Sequence, residues 1–198
     1  MTTFVHCRDS SKARFERERS YDAHIQYLRT LKDRIRFAGP LATADDARAQ
    51  GDEHLVGSLF VIDEPASVTF DLMQGDPYVK SGVWDRVSVF QTVKEHGLWP
   101  AAVPLKPLGR LYTALASAAG PPLVAATAVL FGAELELREM QTGETDSGMW
   151  RAVAIFSANS LEEARSLLVQ GTENRTRQVD SWSIPIAVGT WTRPPQRP

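Results

Sequence analysis

The sequence contains a single cysteine, Cys7, so no disulfide can form within the chain, which is typical of a protein kept in a reducing cytoplasm. It has no basic run and a net charge of only −2, so nothing favours binding to nucleic acid. No stretch approaches the roughly 18 apolar residues that a membrane span needs, and the start lacks the pattern of a signal peptide. These absences predict a cytoplasmic protein that is neither secreted nor inserted in a membrane.

The motifs that hold cofactors are missing as well. None of the four histidines has metal-ligand spacing to another histidine, a cysteine or an acidic residue. The sequence also lacks a glycine-rich phosphate loop and a dinucleotide-binding fingerprint. We therefore expect neither a metal nor another cofactor.

What is present fits a globular α+β protein. The 198 residues are 43% hydrophobic, which is enough for two small sheet domains with packed cores. In the first half, residues 55–62 are apolar on both alternating sets, which is typical of a strand covered on both faces. Tyr21, Ile25, Leu28 and Leu31 recur at helical spacing and predict one buried stripe. The first half is predicted as strand 4–7, helix 12–33, a strand from 35 ending at Gly39-Pro40, strand 55–62, helix 65–75, a turn at 76–78 and strand 87–90.

This β-α-β-β-α-β order is the ferredoxin-like unit, and the second half is predicted to repeat it. Ser160-Leu161-Glu162-Glu163 is a capping box that opens a helix closed by Gly171. We predict a first domain at 1–97, a linker at 98–107, a second domain at 108–193 and a disordered tail at 194–198. The second domain is predicted as strand 111–115, helix 122–131, strands 135–138 and 151–156, helix 160–171 and strand 182–188. The two sheets are expected to pack face to face.

The chemical candidates in this topology are His24, in the first helix, and Asp76, just past the end of the second. The two helices lie side by side on one sheet face, so residues 52 positions apart can meet. A carboxylate beside an imidazole fixes its tautomer and stabilises its protonated form, which leaves the other nitrogen to move a proton. Two plainer interpretations stay open: His24 packs in the core, or Asp76 only forms the turn before Pro77.

Four further residues are candidates for binding a substrate. Ser58 would donate a hydrogen bond or allow close strand packing, and the Tyr78 hydroxyl would point inward or pack on the second helix. Arg8 would bind an anionic group or remain a solvated charge. His6 belongs either to the cleft or to the core.

Residues 4–93 resemble the YCII-related family of the dimeric α/β-barrel superfamily. The resemblance is carried by Ala23-His24, Ala38-Gly39-Pro40-Leu41, Gly57-Ser58, Asp76-Pro77-Tyr78-Val79, Gly82-Val83 and Val87-Ser88-Val89. It implies that His24 and Asp76 are the active-site pair and that the two sheets form a pseudo-dimeric α/β barrel. The second half has Thr172-Glu173-Asn174 at the place of the Asp-Pro-Tyr turn and no histidine after His96. We interpret it as a degenerate second copy that replaces a partner subunit.

The resemblance also implies a function. The best-known activity among YCII-related proteins resembles elimination of chloride from a chlorinated hydroxyquinol. We therefore expect a cofactor-free lyase or isomerase that acts on a small quinol-, phenol- or lactone-like substrate. The alternative is a non-catalytic small-molecule-binding or accessory protein of a catabolic or biosynthetic pathway. The excess of arginine over lysine indicates a bacterial, GC-rich genome, and we expect a monomer or a homodimer.

Overall fold

The computed structural model describes residues 1–45, 54–96, 110–118, 129–139, 145–170 and 176–184. Eight strands form one antiparallel sheet, and four helices are described with it. The strands are β1 Thr3–Asp9, β2 Ile35–Ala42, β3 Leu55–Ile62, β4 Trp84–His96, β5 Arg110–Ala118, β6 Val129–Glu139, β7 Thr145–Ala158 and β8 Thr176–Ile184. The helices are α1 Ala13–Thr30, α2 Ala66–Gly75, α3 Pro77–Lys80 and α4 Leu161–Gln170. Within these described ranges, no helix is both long and apolar enough to cross a membrane.

The two halves have the same strand order. The first four strands lie in the order β4-β1-β3-β2, and the last four lie in the order β8-β5-β7-β6. In each set the strands therefore lie in the order fourth, first, third and second, as they do in ferredoxin-like units. The predicted mixed α+β fold is confirmed. That the second set descends from a copy of the first stays a prediction, because equal topology does not establish common descent.

The two sheets join at their edges to close one barrel. β4 pairs with β6 along most of its length, and β2 meets β8 through Ala42 and Ser183. The Ser183 hydroxyl donates to the carbonyls of Ala42 and Ala44, at 3.3 and 2.7 Å, which reinforces this short seam. The two sheets therefore face each other within one barrel, as predicted. Their inner faces share a core, and backbone hydrogen bonds link the sheets into one closed surface because closure leaves no strand edge unpaired.

Side chains alternate between the two faces of this barrel. One core lies inside it and combines residues of both halves, among them Phe4, Leu59, Leu111 and Ile155. A second core lies between the first-half sheet and its helices and includes Val5, Cys7, Phe60, Met73 and Tyr78. Successive residues of a strand point to opposite faces, so β1 sends Phe4 inward and Val5 outward. This alternation decides which candidates can reach the helix-covered side.

Several element boundaries differ from those predicted. β2 continues through Gly39-Pro40 to Ala42, because β3 pairs with it along its length. On its other side β2 pairs with β8 only at Ala42, so the missing N–H of Pro40 costs the sheet little pairing. Asp76-Pro77-Tyr78 opens the short helix α3 instead of forming a simple turn. The predicted helix 122–131 is wrong at residues 129–131, where β6 begins, and β8 starts at Thr176, earlier than the predicted 182. The rest of that helix, the linker 98–107 and the tail 194–198 lie outside the described residues.

The buried stripe of α1 also differs from the predicted one. Of the predicted stripe, Leu31 is buried and Leu28 packs against the second core, but Tyr21 is 55% exposed. The buried residues within the helix itself are Ala13, Arg17 and His24. Arg17 and His24 are seven positions apart, which is about two helical turns, so both side chains leave the same side of the helix. An arginine and a histidine thus occupy positions where an ordinary amphipathic helix has apolar residues.

Candidate functional site

The site is built around the contact between His24 and Asp76. Nδ1 of His24 lies 2.8 Å from Oδ1 of Asp76, and the side chains are only 8% and 0% exposed. Oδ1 of Asp76 also accepts a 2.8 Å hydrogen bond from the backbone N–H of Tyr78, as the N-cap of α3. Asp76 therefore has both suggested roles, because one oxygen shapes the turn and contacts the imidazole. With Nδ1 as donor to the carboxylate, Nε2 is the nitrogen free to accept a proton.

The second carboxylate oxygen is sealed in the protein. Oδ2 of Asp76 is closed to solvent and has no hydrogen-bond partner among the described residues. A buried carboxylate is costly unless hydrogen bonds or a positive charge compensate it, and of the two oxygens of Asp76 only Oδ1 has partners in the described part of the chain. One of those partners is the imidazole of His24. A proton arriving on that ring would therefore be stabilised by Asp76.

Two aromatic rings fix the orientation of the imidazole. Tyr78 stacks on His24 with 3.8 Å between ring centroids and 8° between ring planes. Trp84 meets His24 edge-on at 5.6 Å and Tyr78 edge-on at 5.3 Å. The edge-to-face contacts of Trp84 are a favourable geometry of aromatic pairs, and the Tyr78 ring lies nearly parallel to the imidazole. The ring of His24 is thus held by packing as well as by its bond to Asp76.

Arg17 is the residue of the site that the sequence interpretation missed. Its Nε and Nη2 donate to the two carboxylate oxygens of Asp9, at 2.9 and 2.7 Å. Nη2 also donates to the Gly57 carbonyl at 3.2 Å and to the Ser58 hydroxyl at 3.5 Å. Burial opposes the charge of Arg17, but the hydrogen bond and charge of Asp9 act against that effect, and its pKa is raised. Arg17 is therefore a permanent buried cation.

Tyr78 connects this cation to the imidazole. The guanidinium carbon of Arg17 lies 5.2 Å from the centroid of the Tyr78 ring that stacks on His24. Burial raises the pKa of Tyr78 to about 12, although Arg17 acts in the opposite direction. The hydroxyl of Tyr78 is thus protonated at neutral pH and can donate a hydrogen bond. A charged residue on the His24 side of α1, seven positions away, is the sequence signal that could have identified Arg17.

Ser58 belongs to this polar group, and Gly57 permits the close approach of its strand. Ser58 is buried, and it faces the helices beside Arg17. A Cβ atom added to Gly57 would overlap the carbonyl oxygen of Cys7 on the neighbouring strand β1. Glycine therefore lets β1 and β3 approach where the site residues of both strands sit.

Cys7 lies close to the pair but is held in its neutral form. Burial raises the pKa of the Cys7 thiol well above the ordinary value, and the negative charge of Asp76 is the second-largest cause of this increase. The thiolate is the reactive form of cysteine, so Cys7 is no nucleophile here. It behaves as a small apolar residue of the core between sheet and helices.

The other two candidates lie away from this group. His6 alternates with Cys7 along β1 and faces the barrel interior, where its ring centroid is 4.9 Å from that of Trp182. Burial, followed by the charges of Arg86 and Arg8, lowers the pKa of His6 to about 4. Arg8 forms a 2.8 Å ion pair with Asp85, and its side chain is 56% exposed. The expectation that His6 lines the same cleft as Ser58 is wrong, because adjacent positions of a strand face opposite sides.

The described part of the chain contains no group of three or more His, Cys, Asp or Glu side chains arranged to hold a metal ion. The site itself contains an imidazole paired with a carboxylate, a buried guanidinium and a protonated phenol. Together they can accept a proton and stabilise negative charge.

Known proteins similar to this chain were found among solved structures. No curated protein matches the chain at a significant level. A similar solved structure is 5-chloro-2-hydroxyhydroquinone dehydrochlorinase from Burkholderia phenoliruptrix AC1100, in complex with 2,5-dihydroxybenzoquinone. It is 25% identical over 46% of this chain and 92% of its own, with a TM-score of 0.41.

Two further similar structures span nearly the whole chain. They are proteins provisionally named monooxygenases, from Lactobacillus acidophilus NCFM and from Fusobacterium nucleatum subsp. nucleatum ATCC 25586. The first is 10% identical over 96% of this chain and 95% of its own, with a TM-score of 0.46. The second is 5% identical over 95% and 93%, with a TM-score of 0.47. The family model of the YCII-related domain matches residues 1–93, the part of the chain that contains the His24–Asp76 pair.

Proposed function

We propose that this protein is a cofactor-free lyase or isomerase that moves a proton through His24 on a small cyclic or aromatic metabolite. The observation that carries the proposal is the buried 2.8 Å contact between Nδ1 of His24 and Asp76, which leaves Nε2 as the proton acceptor. Nε2 would remove a proton from a phenol or from a carbon next to a carbonyl. Asp76 would orient the ring and stabilise the imidazolium that forms.

The two reaction types share the removal of a proton and differ only in the next step. In an elimination, the electron pair of the broken C–H bond forms a double bond, and a leaving group such as chloride departs with its own bonding pair. In an isomerisation, the imidazolium returns the proton to a different atom of the same substrate. Neither route changes the oxidation state of the substrate overall. Both need one group that accepts and then releases a proton, as an imidazole can.

The substrate class rests on the YCII-related resemblance, and the geometry adds support. The imidazole contacts the flat rings of Tyr78 and Trp84, and the guanidinium of Arg17 lies over the ring of Tyr78. Flat phenolic or enolisable rings match such surroundings in shape and in the charge they develop. A protein that only binds such compounds would use the same surroundings, so the test must separate binding from turnover.

The experiment measures turnover across a panel of chlorinated hydroxyquinols and unsaturated lactones, by ultraviolet absorbance and chloride release. The variants are His24→Gln and Asp76→Asn, and His54→Gln, outside the site, is the matched histidine control. We expect His24→Gln to lower kcat by about 10²–10⁴, the usual contribution of general acid–base catalysis. Asp76→Asn should lower kcat more than it raises KM, because it keeps the size of the side chain and removes its charge.

Circular dichroism and thermal melts are used to normalise each rate to the amount of folded protein. Unchanged turnover per folded molecule in His24→Gln would contradict the proposal. Saturable binding of panel compounds by the wild type without any turnover would instead support the non-catalytic binding protein.

A further inference from the structure

We propose that Arg17 and the Tyr78 hydroxyl stabilise the negative charge that develops on a substrate oxygen when His24 removes a proton. The inference rests on the proposed function and narrows its substrate class. The substrate would be a phenol or an enolisable carbonyl compound, whose oxygen becomes a phenolate or an enolate. It assigns a binding role to a residue that the His24–Asp76 pair does not require.

The first argument is the way in which Arg17 is held. Its contacts with Asp9, Gly57 and Ser58 all use Nε or Nη2. None of these four hydrogen bonds uses Nη1, which carries two further N–H donors. The bidentate pair with Asp9 thus fixes the guanidinium plane, and the Tyr78 hydroxyl interacts with the same guanidinium. A planar guanidinium held in this way is well suited to bind an anionic oxygen.

The second argument is the position of Tyr78 between the two groups. One face of its ring stacks on His24, and the same ring lies beneath the guanidinium of Arg17. Its hydroxyl remains a donor, because burial raises its pKa to about 12. The base and the cation therefore belong to one site. A substrate oxygen near the hydroxyl would meet a neutral donor and a charged donor together.

The third argument is the charge balance during the reaction. Arg17 and Asp9 neutralise each other, and Asp76 contacts His24, the group that takes up the proton. When Nε2 forms its new N–H bond, the imidazolium balances Asp76, and the electron pair of the broken bond stays on the substrate and is delocalised to its oxygen. That oxygen then carries the negative charge, in surroundings where water screens poorly. Donors already oriented towards it would lower the barrier without reorganisation.

A purely structural role for Arg17 is the competing interpretation. The pair with Asp9 links α1 to β1, and buried ion pairs of this kind add little net stability compared with apolar residues of the same size. Removing Arg17 alone would leave the Asp9 carboxylate buried and unpaired. The informative variant is therefore Asp9→Asn combined with Arg17→Gln, which replaces the ion pair by two neutral amides and leaves the net charge unchanged.

The test uses 4-nitrophenol as probe, because the absorbance of its phenolate reports ionisation in the complex without any turnover. We expect the wild type to bind the phenolate at least about tenfold more tightly than the phenol. Asp9→Asn/Arg17→Gln should lose most of that preference, Tyr78→Phe should lose part of it, and Arg17→Lys should retain part through its charge. Arg19→Gln, an exposed arginine of α1 that pairs with Glu16, is the control and should match the wild type.

Equal preference for phenolate in the wild type and in folded Asp9→Asn/Arg17→Gln would overturn the inference. A wild type without any preference for phenolate would overturn it as well. Because the readout is binding, it is separate from the turnover test of the proposed function. A phenolate preference that depends on Arg17, in a protein that turns over nothing, would support the anion-binding role of Arg17 and refute the lyase or isomerase proposal.

Discussion

The hydroxyl of Tyr27 occupies the space that a side chain on Gly75 would need. It donates a 2.6 Å hydrogen bond to the carbonyl of Leu72, and a Cβ added to Gly75 would lie 2.5 Å from its oxygen. Tyr27 lies one turn after His24 on α1, and Gly75 immediately precedes Asp76. This contact therefore holds α1 against the end of α2 beside the His24–Asp76 pair.

Gly75→Ala should disturb both stability and the site. The added methyl group must displace the Tyr27 hydroxyl, which costs about 1–3 kcal/mol of unfolding free energy through overpacking and a lost hydrogen bond. Movement of α2 relative to α1 should also lower kcat under the proposed function. Tyr27→Phe removes the same hydrogen bond without the clash and should cost about 1 kcal/mol.

A double-mutant cycle in urea tests whether the two positions act through one contact. Gly75→Ala should be less costly in the Tyr27→Phe background, because the oxygen that it meets is gone. Strictly additive costs would show that Tyr27 and Gly75 are independent and would contradict the prediction.

The stability of the protein should depend on His6 between about pH 4 and 6.5. Burial, followed by Arg86 and Arg8, lowers the pKa of His6 from 6.5 to about 4 in the folded state. In that interval the unfolded chain binds a proton that the folded chain does not, so the unfolding free energy falls as the pH is lowered through it. The loss should reach roughly 2–3 kcal/mol near pH 4.5.

Urea denaturation of His6→Phe at pH 7 and pH 4.5 isolates this contribution, because phenylalanine keeps an aromatic ring beside Trp182 and does not titrate. The variant should lose less stability than the wild type on acidification, since both share all other titrating groups. An equal loss in the two proteins would show that His6 is not the group responsible.

We expect the protein to be a monomer. Both sheet edges that a ferredoxin-like unit would present to a partner are paired within the chain, β4 with β6 and β2 with β8. A single-copy unit would need a second chain for this closure, whereas here the second half supplies the strands. Static light scattering across a tenfold range of concentration should give the mass of one chain, 21.9 kDa. A concentration-independent mass of twice that value would contradict the expectation.

Local sequence signals correctly predicted most individual elements. Residues 55–62 form β3, because a run that is apolar on both faces suits a strand lying between two cores. The capping box is confirmed in part. Ser160 accepts from the backbone N–H of Glu163 at 3.1 Å, but the Glu163 carboxylate accepts from the N–H of Asn159, one residue before Ser160, at 2.7 Å. Such signals depend on a few neighbouring residues, so they can be recognised in the sequence alone.

The sequence by itself also pointed to His24 and Asp76, because the order of elements can bring them together and the resemblance to the YCII-related family implies that they are the active-site pair. Tertiary structure alone decided what surrounds them. Tyr21 has the right spacing for the core but is exposed, while Arg17 is buried, because Asp9 on β1 and the Gly57 carbonyl on β3 provide the partners that a buried guanidinium needs. The tertiary structure also decided that His6 faces the barrel interior. Which face of a strand lies inside the barrel depends on how the strand pairs with distant strands, and the local sequence does not specify that pairing.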